Sequence, residues 1–100
     1  MNQKLKIDTS NNLVTKIQLG NTTLEEERKS PSEQNVLELI EKIFKKEKLK
    51  LEDIDSIEIN TGPGSFTGLR VGVSIVNALS FSGNISVNGK DIGKITLPEY

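Results

Sequence analysis

The chain has 100 residues, with 13 basic against 14 acidic side chains for a net charge of −1, and contains neither cysteine nor histidine. That length is enough for one domain with an adequate but small core. The composition excludes disulfides, thiolate catalysis and cysteine-built zinc sites, as well as Ser-His-Asp chemistry and imidazole metal ligation, and the balanced charge supplies no global field for nucleic acid.

Lysines and Asp8 interrupt the start, Met1-Asn2-Gln3-Lys4-Leu5-Lys6-Ile7, before a signal-peptide apolar run forms. No segment approaches membrane-spanning length, so a soluble, cytoplasmic protein is expected. Leu5 to Ile7 alternates and predicts a strand running into the turn-forming cluster Asp8-Thr9-Ser10-Asn11-Asn12. Leu13, Thr15, Ile17 and Leu19 share one face of a second strand, Gly20-Asn21 makes a turn, and a third strand is expected around Thr22 to Glu26. The result is an antiparallel meander with one buried face. Glu25-Glu26-Glu27 beside Arg28-Lys29 reads as a solvated charged edge.

Ser30-Pro31-Ser32-Glu33 announces a helix, with Ser30 as cap, Pro31 at the first helical position and Glu33 completing a capping box. Val36, Leu37, Leu39, Ile40, Ile43 and Phe44 follow at helical spacing, with early acids and late lysines that suit the helix dipole. Leu49 to Asp53 links this helix to Ile54-Asp55-Ser56-Ile57-Glu58-Ile59-Asn60, whose alternation predicts a further strand.

That strand leads into Gly62-Pro63-Gly64-Ser65-Phe66-Thr67-Gly68-Leu69-Arg70-Val71-Gly72, which holds four of the eight glycines. Gly62-Pro63-Gly64 forces a tight turn, after which Ser65 or Thr67 caps a new helix. Residues 66 to 81 are apolar around most of the helix, and Arg70 carries the sole charge. Such a helix needs both the sheet and a second apolar surface. Gly68 and Gly72, four apart on one stripe, permit close backbone approach, and Ser82-Gly83-Asn84 ends the helix. Ile85-Ser86-Val87 reads either as a fifth, parallel strand or, through the Asn88-Gly89 turn signal, as half of a hairpin returning along Asp91 to Ile95.

The run from Gly62 to Gly72, read together with Ile7-Asp8-Thr9-Ser10, resembles the signature of the TsaB (YeaZ) family, partners in the bacterial complex that makes threonylcarbamoyladenosine in tRNA. The resemblance covers the family's N-terminal domain, so residues 1–100 are expected to form one such domain without the second lobe that the family carries. It implies an α/β, ribonuclease-H-like (actin-like ATPase) fold: a mixed sheet starting with an antiparallel three-stranded meander, and two helices packed on one face. It also implies a partner. The helical face, through Val36, Ile40, Leu69, Arg70, Val73, Val76 and Asn77, is expected to pack against a TsaD-like catalytic subunit, or in its absence against a second copy of the chain. A TsaE-like ATPase is a further partner that the resemblance suggests. The catalytic member of that system holds its metal with a pair of histidines, so a histidine-free chain is expected to be a non-catalytic scaffold and activator, with no cofactor and no metal.

Two readings of the loops stay open. Asp8, Gly62, Gly64, Ser65 and Thr67 are candidates for anion or nucleotide binding, since a glycine turn feeding a helix gathers N–H groups toward one spot. Equally, the glycines serve shape alone, and Asp8 stabilises its own turn by accepting nearby N–H groups. The Asp8 loop has no glycine to let backbone approach a phosphate, and the Gly-Lys-Ser/Thr ending of a P-loop is missing. Arg70 is expected to pair with a carboxylate, within the chain or across an interface. The alternative function is a self-associating nucleotide- or anion-binding domain that acts without a TsaD-like partner.

Overall fold

A computed structural model describes residues 3–11, 13–29, 35–64 and 66–90. Five strands, β1 (Lys4–Asp8), β2 (Val14–Leu19), β3 (Thr22–Glu27), β4 (Ser56–Ile59) and β5 (Ser86–Val87), form one sheet in the order β3-β2-β1-β4-β5. The first three make the antiparallel meander, and β4 and β5 add in parallel on the other side of β1. Two helices, α1 (Val36–Glu47) and α2 (Phe66–Gly83), fill the crossovers, as parallel pairing requires.

Alternation decides which face is covered. The register sets Leu5 beside Leu19 and Ile57, and Ile7 beside Ile17 and Ile59. One side of the sheet is therefore aliphatic, and Val36, Leu39, Ile40 and Ile43 of α1 join Val73 and Val76 of α2 upon it. Each such side chain, removed from water, contributes on the order of 2 kcal/mol. The opposite side is polar: Lys4 and Lys6 reach Glu58 at 3.7 and 3.9 Å, and Lys16 reaches Glu25 at 3.9 Å, all half-exposed. Pairs of this kind contribute little to stability.

Both helices end in left-handed caps. Lys48 (φ 56°) and Asn84 (φ 58°) reverse the chain, and the N–H groups of Leu49 and Ile85 reach back to the carbonyls of Phe44 and Ser80 at 2.9 and 3.1 Å. The expected start of the first helix at Ser30, Pro31 and Glu33 lies outside the described residues. The described helix begins after Asn35, whose side chain makes no capping bond. Leu13, expected on the buried face, is 40% exposed, because Asn11 Oδ1 accepts the N–H groups of both Leu13 and Val14 and holds Leu13 in the turn, ahead of the strand.

The tail carries both of its sequence signals. Ser86 and Val87 pair with β4 in parallel, and Asn88 and Gly89 then take positive φ of 51° and 75° while Lys90 N–H donates to the Val87 carbonyl at 2.9 Å. Two positive φ values under such a bond are the mark of a type I′ turn. The returning stretch from Asp91 to Ile95 lies outside the described residues. The Asn88 amide also prolongs the two-residue strand, since Oδ1 accepts Ile59 N–H at 2.9 Å and Nδ2 donates to the Ile59 carbonyl at 3.1 Å.

Candidate functional site

Parallel pairing brings the carboxyl ends of β1 and β4 together, where open α/β sheets place their ligands. Asp8 ends β1 and Asn60 follows β4. Asp8 Oδ1 accepts the Ser10 N–H at 2.9 Å and the Ser10 hydroxyl at 2.6 Å. Asn60 Nδ2 reaches Asp8 Oδ2 at 3.4 Å and Ser10 Oγ at 3.1 Å, while its Oδ1 accepts Gly62 N–H at 3.0 Å. One asparagine thus ties the loop after β1 to the glycine turn. Burial raises the Asp8 carboxyl, but the Ser10 hydroxyl and N–H, the Asn60 amide and the Lys16 charge together outweigh it and hold the group below its ordinary value.

The glycines of the turn are pressed against this loop. A Cβ on Gly64 would stand 2.6 Å from the Ser10 carbonyl oxygen, and one on Gly72 would stand 2.1 Å from Thr9 Oγ1. Thr9 is itself buried, and its hydroxyl donates to the Gly68 carbonyl at 2.7 Å. Close backbone approach at the Gly68-Gly72 stripe therefore serves the Asp8-Thr9-Ser10 loop. Gly62 adopts φ 124°, which side chains rarely tolerate. Thr67 is half-buried, and Gly64 is exposed at the lip. Ser65, the other candidate at this turn, lies outside the described residues.

The residues named for an interface divide sharply. Val36, Ile40, Leu69, Val73 and Val76 are 0 to 6% exposed and face the chain's own core, so they are corrected from surface residues to core residues: the α1 and α2 stripes they form are the stripes the sheet covers. Arg70 is exposed and Asn77 half-buried. What the two helices turn outward is a groove of about 440 Å³ lined by Leu37 of α1 and by Thr67, Arg70, Val71, Ser74 and Ile75 of α2. Leu37 is 48% exposed, and Phe81, further along α2, is 64% exposed. Sequence reasoning missed Leu37, Val71 and Ile75 as the outward set. The glycine stripe was the usable signal, because Gly68 and Gly72 mark the side of α2 that lies close to backbone.

A second concavity, of about 760 Å³, opens on the polar side of the sheet, where Lys4, Lys6, Lys16 and Glu58 adjoin Asp8 and Asn60. No group of histidine, cysteine or acidic side chains suited to hold a metal occurs among the described residues, and none of their helices is long and apolar enough to cross a membrane.

Comparison with known proteins converges. The model of the family described as "TsaD: tRNA N6-adenosine threonylcarbamoyltransferase" matches residues 26–89. The "tRNA threonylcarbamoyladenosine biosynthesis protein TsaB" of Buchnera aphidicola is 35% identical over 54 residues, 54% of this chain and 26% of that protein. Its namesake in Haemophilus influenzae is 38% identical over 52 residues, 52% of this chain and 22% of that protein. A solved structure from Pseudomonas aeruginosa, titled as an uncharacterized protein with similarity to peptidase YEAZ, superposes with a TM-score of 0.71 at 26% identity over 87% of this chain and 42% of its own. The matches span about a quarter of those curated relatives and less than half of that structure. Fold and sequence agree on the actin-like, ribonuclease-H-like architecture, and the chain belongs to the TsaD, tRNA N6-adenosine threonylcarbamoyltransferase, family, beside its TsaB (YeaZ) members.

Proposed function

We propose that this chain is a non-catalytic scaffold of the TsaB kind, which binds and activates a TsaD-like enzyme that attaches a threonylcarbamoyl group to adenosine in tRNA. The observation that carries the reading is the closure of the loop after β1: both oxygens of Asp8 are engaged by Ser10 and Asn60, and Gly64 and Gly72 abut Ser10 and Thr9. Protein atoms take up the donors and the close approach that a phosphate would need. The turn then shapes the fold, and the work of the chain falls to its surface. Association through the outward helical groove suits this, because Leu37, Val71 and Ile75 give it an apolar floor and Arg70 a charged lip.

The test is size-exclusion chromatography with light scattering on the chain, alone and mixed with the TsaD-like protein from the same source. Threonylcarbamoyladenosine formation on tRNA is followed in parallel. The expected result is a one-to-one complex that supports modification and that Ile75→Glu abolishes while circular dichroism stays unchanged. A chain that ignores the enzyme and is stabilised by ATP, with the effect lost in Asp8→Ala, overturns the proposal in favour of a nucleotide-binding domain.

A further inference from the structure

Asn88 follows β5 directly and forms with Gly89 the turn at positive φ, 51° and 75°. The chain has nine asparagines, and this is the one that a glycine follows; each of the other eight precedes a residue with a side chain. Both turn residues are exposed, and a Cβ built on Gly89 would meet nothing within 4 Å, so solvent reaches the peptide bond between them. The Asn88 N–H donates to the Ile57 carbonyl and the Lys90 N–H to the Val87 carbonyl, both at 2.9 Å. The Gly89 N–H between them has no partner among the described residues.

The Asn88 side chain also serves β4. Its Oδ1 accepts the Ile59 N–H and its Nδ2 donates to the Ile59 carbonyl, so the carboxamide stands where a third residue of β5 would pair. Asn60 comes next, the residue that ties the Asp8 loop to the glycine turn. On its β5 side, the end of β4 therefore rests on one neutral amide.

We propose that Asn88 is a site of spontaneous covalent modification, deamidation through a cyclic imide, gated by its own clamp on Ile59. Once the carboxamide leaves Ile59, the deprotonated Gly89 nitrogen attacks Asn88 Cγ. The new N–Cγ bond closes the imide, the Cγ–Nδ2 bond breaks, and ammonia leaves with a proton from water. Water then opens the imide at either carbonyl, giving aspartate when the nitrogen–Cγ bond is cut and isoaspartate when the original peptide bond is cut. Glycine suits the step because no Cβ hinders the attacking nitrogen or the ring. Both products carry a negative charge where a neutral donor stood. An ionised carboxylate only accepts, so the Ile59 carbonyl loses its donor and faces a like partial charge. Isoaspartate also lengthens the main chain by one carbon, which takes the clamp out of register. The site is independent of the scaffold reading.

The experiment is timed incubation of the whole chain at mildly alkaline pH, folded and in concentrated guanidinium, with every asparagine followed by mass spectrometry after digestion at acid pH. In the folded chain Asn88 is expected to convert before the other eight, roughly 10- to 100-fold more slowly than in guanidinium, the delay that two hydrogen bonds of ordinary strength impose. Equal rates in the two media overturn the gating, and a folded chain in which another asparagine converts first overturns the site. The converted chain, separated by ion exchange, is expected to exchange the Ile59 amide hydrogen about tenfold faster than the parent and to unfold roughly 5 °C lower. Asn88→Asp should reproduce the aspartate branch. Parental exchange at Ile59 in the converted chain refutes the role given to the amide.

Discussion

At the ends of β1 and β4, Asp8, Ser10 and Asn60 satisfy one another within a few ångströms, whereas beside β3 Arg28, Thr15 and Asn35 keep four buried atoms without partners. Both corners gather polar side chains from distant parts of the chain. The first has a carboxylate at its centre and donors around it, so its charges close on themselves. The second has a cation at its centre, bonded to the Asn11 carbonyl, with Glu26 paired instead to Lys42. A family signature is therefore not by itself the place where a fold is open to ligands. Here the signature is the corner whose polar groups satisfy one another, and the corner that keeps buried atoms without partners carries no motif.

The comparison can be broken by filling the closed corner. Gly72→Ala sets a methyl group 2.1 Å from Thr9 Oγ1, and urea unfolding is expected to show a loss of about 3 kcal/mol, although alanine ordinarily stabilises a helix interior by about 1 kcal/mol over glycine. Gly64→Ala meets the Ser10 backbone at 2.6 Å and is expected to cost about 2 kcal/mol by the same measurement. Both substitutions should increase hydrogen exchange at Ser10 and Gly62.

Asp8→Asn sharpens it by removing the charge while keeping the shape. A loss of about 1 kcal/mol at pH 7 is expected from the weakened hydrogen bonds. The carboxyl is held below the ordinary aspartate value in the folded chain, so its contribution is full above that ordinary value and disappears as pH falls through the lower folded value. Parent and Asp8→Asn stabilities should converge on acidification below about pH 4, and a gap that stays constant with pH would refute the role given to the charge. Smallest of all should be Arg28→Met, expected within about 1 kcal/mol of the parent, because it removes a buried charge together with its hydrogen bond to the Asn11 carbonyl.

Much of this was legible in the residues. Period-two alternation located β1, β2 and β4, the run around Thr22 to Glu26 gave β3, and the glycine turn fixed where α2 begins. The inward face of α2 was harder to read, because apolar residues ring most of the helix, and Leu69, Val73 and Val76 were read as outward when the sheet covers them. Arg28, expected on a solvated charged edge but only 5% exposed, was misplaced for a different reason. In sequence it lies inside the charged run Glu25 to Lys29, and only the pairing of β3 with β2 turns it inward while Glu25 and Glu27 point to solvent. Burial of that kind is a property of the register, which no local pattern displays.

The same register guards the rim of the molecule. β3 is an edge strand, and an unpaired strand edge is an invitation to runaway stacking of copies. Three consecutive glutamates end it, with Glu25 and Glu27 exposed, so a second chain stacking edge to edge in parallel and in register would bring acid against acid, the disfavoured cross-strand pair. Electrostatic repulsion along this one edge thus disfavours in-register stacking of copies on β3.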